Sequence, residues 1–564
     1  MVNVTQLPSS QSVSKIVTQD MEPTVGQILF SPMVSSVTYL IERNGVVNHT
    51  WPSSFFPGEA VYWLGDGTIL RTIRVGISPG SGGAGGGIQK VKADGTIVWD
   101  FRYNTNGLLS HHDIEPLLNG NVLIIAWETM TYAEAIAAGR DPATLVGDEI
   151  RPDHIIEVKP IGPTSGQIVW EWHVRDHLIQ DFDPTKANYG IVADHPELVD
   201  INYVMTSSGL SSDWLHTNSI DYHEKFDQIL LSVHNFNEIW VIDHSTTTFE
   251  AAGHTGGNSG KGGDLLYRWG NPAAYRTGTI SDQKLFSQHD ATWIHQGYPG
   301  EGNILIFNNG ADRPGGSYSS VDEIITPVDA TGQYTLVAGS AYGPLRPTWS
   351  YIANPPLSFY ASYISGALRL PDGNTLICDG VAGRFFEVTP EKVTVWQYTN
   401  PYPAFSMNNV FKICYIPPKE PEPTVPAVEC TGSLSWTRIR PGQMVNGSFQ
   451  IQNRGAPGSL LNWVVNVSSL EWGTWSFSPS SGGGLTPEDG QITVEVSVVA
   501  PAQRYTKFEG YIRVENQENS SDFDVVPVLL KTPFGIGQTR PVLDFIQNHF
   551  FISRVIRLLS LLVS

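Results

Sequence analysis

The sequence predicts an all-β protein: a six-bladed β-propeller, then an immunoglobulin-like β-sandwich and a short C-terminal amphipathic helix. Three observations carry that expectation. Gly (55) and Pro (38), which close turns, are abundant in the 564 residues, and so are strand-favouring Trp (16), Tyr (21) and Phe (23). A two-part unit recurs over residues 20–416. Beyond a Pro-rich stretch, short alternating runs continue without that unit.

The first half of the unit is a polar turn followed by an apolar β run. It occurs at Asp66–Leu70, Asn119–Ile125, Phe226–Ser232, Gly302–Phe307 and Gly373–Cys378. The second half is a short strand, a turn and a Trp- or Tyr-bearing strand. It occurs at Tyr39–Trp51, Ile88–Phe101, Ile155–Trp172, Ile239–Trp269, from Val321 to Pro327 and onward, and at Phe385–Tyr398. A degenerate opening copy, Val25–Pro32, completes six units of about four strands each. Four-stranded sheets repeated radially form a propeller around a central channel and leave only short edges. The segments Thr131–Asp153 and Leu178–Asp213 read as long insertions, the kind of loop that walls a binding site on a rim.

Residues 417–428 (PPKEPEPTVPAV) are a stiff linker. Residues 429–533 read as about seven short strands, the size of an immunoglobulin-like sandwich. Residues 541–564 read as an amphipathic helix. Asp544, Asn548, Arg554 and Arg557 interrupt it, so it lacks the apolar run of about 18 residues needed to span a bilayer. Its apolar face is expected on a domain, a partner chain or a membrane surface.

The balance of 34 Lys+Arg against 55 Asp+Glu gives a net charge of −21. Such a chain repels phosphate backbones, which excludes general nucleic-acid binding. Cys378, Cys414 and Cys430 are too few for a disulfide framework or a cysteine zinc site. Either Cys414 pairs with Cys430 or all three are free thiols. The opening MVNVTQLPSSQSVSK shows no apolar core of a signal peptide. Oligomeric state is not legible.

The histidines are placed unevenly. Three units set one shortly before a β run: His111 and His112 in SHHDIEPLLNGNVLII, His216 in DWLHTNSIDY, and His289 in SQHDATWI. Equivalent positions in a cyclic repeat lie at equivalent radius and height, so these side chains are expected to converge on one mouth of the channel. His234 ends the adjoining run in LLSVHNFNEIWVID, and Asn218 shares a strand face with His216. Clustered imidazoles can bind metal, move protons or act as nucleophiles. Asp113 and Asp290 follow two of the histidines. Strand alternation turns them to the opposite face, where they are expected to support turns or orient a ring from outside. That leaves no evident carboxylate ligand set for a metal. The Gly-rich run Ser78–Gly87 lacks the Lys and Ser/Thr of a phosphate loop and reads as a flexible connection.

The ordered combination HHDIEPLLNGN, DWLHTNSID, LLSVHNFNEIWVID and QHDATWI with GNILIFNNG resembles the PAPS-independent aryl-sulfate sulfotransferases over residues 20–416. The resemblance implies a six-bladed propeller. It also implies transfer of a sulfuryl group from an aryl sulfate donor to a phenolic acceptor, by a ping-pong route through a sulfohistidine. It casts His289 as nucleophile, and His216 with Asn218 as a His-x-Asn pair in which His216 is the acid/base. His112 becomes a sulfate contact, with His111 beside it. Where His234 stands the family usually has Arg, a permanent forked cation matched to sulfate oxygens. An imidazole equals that only when protonated, so Arg313 in NNGADRPGG is the candidate substitute. Trp214, with Trp293 and Tyr222, is a candidate platform for a phenol ring.

The implied route needs no metal or other cofactor. A neutral imidazole is a competent nucleophile near neutral pH, and donors ringing the site would meet the charge on the transferring oxygens. The family is largely exported and a sandwich module suits display, so an extracellular or cell-surface location is expected. Two other readings compete. One is a non-catalytic surface protein that kept the histidine pocket. The other is a metal-dependent hydrolase or lyase built on His112, His216 and His289.

Overall fold

A computed structural model describes residues 23–75, 82–83, 85–105, 107–205, 211–418 and 426–532. The helix expected over 541–564 and most of the linker lie outside these residues. Contacts divide the chain into two units, Met1–Pro418 and Lys419–Ser564.

Among the described residues, the first unit is built of six antiparallel four-stranded sheets, with two short two-stranded pairings besides. Five sheets are consecutive in sequence and begin at Pro57–Trp63, Leu108–Pro116, Thr217–His223, His289–Trp293 and Gly366–Arg369. The sixth joins the two ends of the unit: Val410–Ile416 pairs with Gln27–Pro32, which continues into Val37–Glu42 and Val47–Pro52. This explains why the opening copy of the repeat is degenerate. Its first strand comes from residue 410 onward, not from the residues before it.

The leading strands touch in a closed cycle, each against the leading strands of the sheets before and after it. Apolar faces pack between neighbouring sheets. Leu40 and Trp51 meet Val61, Ile69 and Val91. Leu70, Ile88 and Trp99 meet Ile114, Val122 and Ile156. Phe385, Trp396 and Tyr398 meet Ile28, Phe30 and Ile41, which closes the circuit.

The outer strands repeat one contact. Each carries a Trp whose indole N–H donates to an oxygen of the next sheet or its connections: Trp51 to Lys92 O, Trp99 to Ser165 O, Trp170 to Thr246 Oγ1, Trp269 to Pro344 O, Trp349 to Pro390 O and Trp396 to Arg43 O. The last of these returns to the first sheet. The Trp-bearing half of the sequence unit is therefore the part that links one sheet to its neighbour.

Among the described residues, the second unit holds a four-stranded and a five-stranded sheet around a core that includes Phe449, Ile451, Trp463, Val494, Val514 and Val526. These sheets contain nine strands, not about seven. The added ones include Ser481–Leu485 (SGGGL), which has no apolar alternation to reveal it. All three cysteines are free thiols.

Candidate active site

Four leading strands break register near their starts, between Pro57 and Val61, Ser110 and Ile114, Thr217 and Ser219, and His289 and Thr292. A left-handed residue sits at or beside each break: Glu59 (φ 107°), His112 (φ 51°), His216 (φ 53°) and Asp290 (φ 49°). Such bulges re-aim side chains that strict alternation would send elsewhere. Backbone held in this region by non-glycine residues is strained, and strain of that kind gathers at functional sites.

The result is an arc of four imidazoles. Ring centroids are 4.5 Å apart from His112 to His216, 5.1 Å from His216 to His234, and 5.3 Å from His234 to His289. Phe411, from the strand that closes the cycle, lies 6.0 Å from His112 and 6.3 Å from His289. His111 stands behind His112. The two Nδ1 atoms share a 2.8 Å hydrogen bond, and the His111 ring stacks on Trp127 at 3.9 Å. Asn218 donates from Nδ2 to the Gln288 carbonyl at 2.8 Å, fastening its strand to the one that carries His289.

Three members of the arc are held neutral. Burial, reinforced by neighbouring imidazoles, drives His112 and His289 well below the usual histidine value and His234 to about 4. His216 differs. Burial again pulls it down, but the Asp213 carboxylate overrides that and its pKa is raised. Asp213 Oδ2 lies 2.5 Å from His216 Nδ1, while Trp127 Nε1–H donates to Asp213 Oδ1 at 2.8 Å. The arc thus places one readily protonated imidazole among neutral ones.

His289 has a defined tautomer. Its Nδ1–H donates to Asn309 Oδ1 at 2.8 Å, since an amide oxygen can only accept. Nε2 therefore carries the lone pair, and the Ile364 backbone N–H donates to it at 3.2 Å. Asn309 in turn donates from Nδ2 to the Ala361 and Ile364 carbonyls. One side chain fixes both the ring and the peptide that caps it.

Below the arc, the sequence expectation for Asp113 and Asp290 fails. They do not support turns from outside. Both bind the buried ammonium of Lys412, at 2.8 and 3.1 Å. Burial alone would lower Lys412, but these two carboxylates hold it well above its ordinary value. The bulges that re-aim the histidines also change the parity of the residues after them. A lone Lys inside the apolar run VFKICYI was the available signal.

The expected phenol platform is not at this level. Trp214 is buried, donates to the Tyr203 carbonyl and packs on Phe236 in the core. Trp293 and Tyr222 lie four and six residues beyond His289 and His216, toward the other ends of their strands. Arg313 donates from Nη2 to Ser320 Oγ at 3.0 Å and stacks on Tyr318 at 4.3 Å, while its Nε is buried without a hydrogen-bond partner. Sequence reasoning missed Asn309, Asp213 and Glu59. Glu59 is buried, with an unpartnered Oε2 and Arg74 3.6 Å from Oε1. Burial pushes its pKa to about 7, against the pull of Arg74 and His216.

No curated protein matches the sequence. Among solved structures, the chain is similar to a protein of unknown function from Bacteroides caccae, at 12% identity over 70% of this chain and 100% of that one, with a TM-score of 0.39. It is also similar to the virginiamycin B lyase from Staphylococcus aureus, at 11% identity over 67% and 82%, TM-score 0.31. The PapD-like domain 7 of human CEP192 matches 21% of this chain and 92% of its own, at 16% identity and TM-score 0.16. Likenesses this distant bear no weight. The model of the arylsulfotransferase family is different: it matches residues 64–410, more than half of the sequence and the stretch that holds all four imidazoles of the arc. The chain belongs to the arylsulfotransferase (ASST) family.

Proposed function

We propose that this protein is an aryl-sulfate sulfotransferase that carries the sulfuryl group on His289 Nε2 between an aryl sulfate donor and a phenolic acceptor. The observation that carries the reading is the pairing of two unlike imidazoles in one arc. His289 is neutral with its lone pair on Nε2, and His216 is kept protonatable by Asp213.

In the first half-reaction Nε2 attacks sulfur and the bond from sulfur to the aryl oxygen breaks. His216 gives its proton to the departing phenolate. In the second half, the neutral His216 takes the proton of the acceptor phenol, whose oxygen attacks sulfur as the Nε2–S bond breaks. Nδ1–H remains on Asn309 throughout. The Ile364 N–H, which caps the lone pair in the resting site, turns to a sulfuryl oxygen once Nε2 is occupied. His112 and His234 complete the polar wall.

The same reading takes the six sheets as propeller blades and the second unit as an immunoglobulin-like accessory module, in a protein of the extracellular space or cell surface. The test is intact-protein mass spectrometry after brief exposure to an aryl sulfate without acceptor. Wild type gains one SO3 group and His289→Ala gains none. Absence of the adduct and of phenol release in wild type would leave a binding protein with a histidine pocket.

A further inference from the structure

A second histidine cluster lies apart from this arc. The connection between strands Glu238–Asp243 and Tyr267–Trp269 carries the run GHTGGNSGKGGD, residues 253–264. It folds against His177, which ends the turn after strand Ser165–His173. His177 Nδ1 and His254 Nδ1 each lie 2.8 Å from the same oxygen, Asp264 Oδ1. The three ligand atoms fall within 4.8 Å of one another.

The proton count at His177 does not close with a neutral ring. A neutral imidazole has one N–H. That of His177 is committed through Nε2 to the Ala251 carbonyl at 2.8 Å, in a wholly buried position. Nδ1 then presents a lone pair to a carboxylate oxygen, and two lone pairs at this distance repel unless a cation stands between them. Donation of the second ring N–H to a backbone carbonyl is also the usual way in which a metal-bound histidine is oriented.

The surroundings are shaped for this contact. A Cβ at Gly263 would meet the Ala251 oxygen at 1.9 Å and His177 Nε2 at 2.6 Å, so only glycine lets the loop close over the ring. The Gly263 carbonyl accepts from Trp172 Nε1, and Trp172 stacks on His177. His254 is 61% exposed, which leaves an open side for water as a fourth ligand.

We propose that His177, Asp264 and His254 form a divalent transition-metal site that staples residues 244–266 to the segment after Ser165–His173. Two imidazole nitrogens and one carboxylate oxygen are a donor set suited to Zn2+. This site is independent of the sulfuryl-transfer reading.

The test uses the full chain, stripped with a chelator and titrated with Zn2+ by calorimetry, with melting temperature followed in parallel. Wild type is expected to bind Zn2+ and to melt higher when loaded. In His254→Ala, a change at an exposed side chain that leaves the fold intact, affinity at one site falls ~10-fold or more and the melting shift disappears. His289→Ala retains that site, which separates it from metal taken up by the catalytic arc. Failure of wild type to bind Zn2+, or an isotherm unchanged in His254→Ala, overturns the proposal and leaves the three residues as a hydrogen-bonded cluster.

Discussion

At the scale of single residues, His234 is the telling departure. Where the family usually places an arginine, this chain has an imidazole whose burial beside His216 drives its pKa to about 4. It is uncharged at neutral pH, and Arg313 bonds Ser320 and stacks on Tyr318. On the proposed reading, the positive charge offered to sulfate within the arc falls to His216. His234→Arg is expected to lower KM for the donor severalfold. By like-charge repulsion it should also lower the His216 pKa, so the alkaline limb of the first half-reaction moves to lower pH. A pH profile of phenol release alongside KM reads both. The Asp213 carboxylate is tested differently. Asp213→Asn removes the charge that holds the His216 proton, and sulfates of poor leaving phenols should lose ~100-fold or more in rate, the usual worth of a positioned acid. Sulfates of acidic nitrophenols need little protonation and should lose far less. Equal losses across the series would remove His216 from that role.

At the scale of elements, the repeat was legible because its two halves do different physical work. The polar turn and apolar run form the leading hairpins, where period-two alternation is strong. The Trp strand supplies the indole donated to the next sheet. Trp396→Phe keeps most of the apolar volume but cuts the bond to the Arg43 carbonyl that returns to the first sheet. It also weakens the stacking of Arg43, 3.8 Å above the ring. A loss of about 1–2 kcal/mol is expected in denaturant unfolding, from one hydrogen bond and part of one cation–π contact. The breaks in register were not legible. A bulge is set by where the chain must turn a side chain, and the motifs HHD and QHD look like ordinary alternation until His112 and Asp290 adopt positive φ. That is why the arc was foreseen while the Lys412 pair beneath it was not. Asn309 escaped notice for a related reason: NNG after an apolar run reads as a turn, and nothing local shows that its amide clamps a ring 20 residues earlier.

At the scale of the whole molecule, the closed cycle gathers histidines from separate sheets into a shielded centre, and that has a consequence for acid stability. The unfolded chain binds protons at these imidazoles near pH 6.5, whereas the folded chain holds His112 and His289 well below that value and His234 at about 4. Between those limits the unfolded state binds more protons. The stability these three imidazoles contribute is therefore fully present above about pH 6.5 and drains away as pH falls toward 4. For His234 alone the displacement corresponds to about 3–4 kcal/mol, at roughly 1.4 kcal/mol per unit. His216 has the opposite sign: its raised pKa contributes stability below 6.5 that is lost as pH rises through its folded value. From pH 6.5 to pH 4 the melting temperature of His234→Gln should consequently fall less than that of wild type, with the alkaline side unchanged. An acid limb equally steep in wild type and His234→Gln would mean that His234 is freely protonated in the folded site, and below about pH 6.5 it would then supply the cation that the resemblance assigns to arginine.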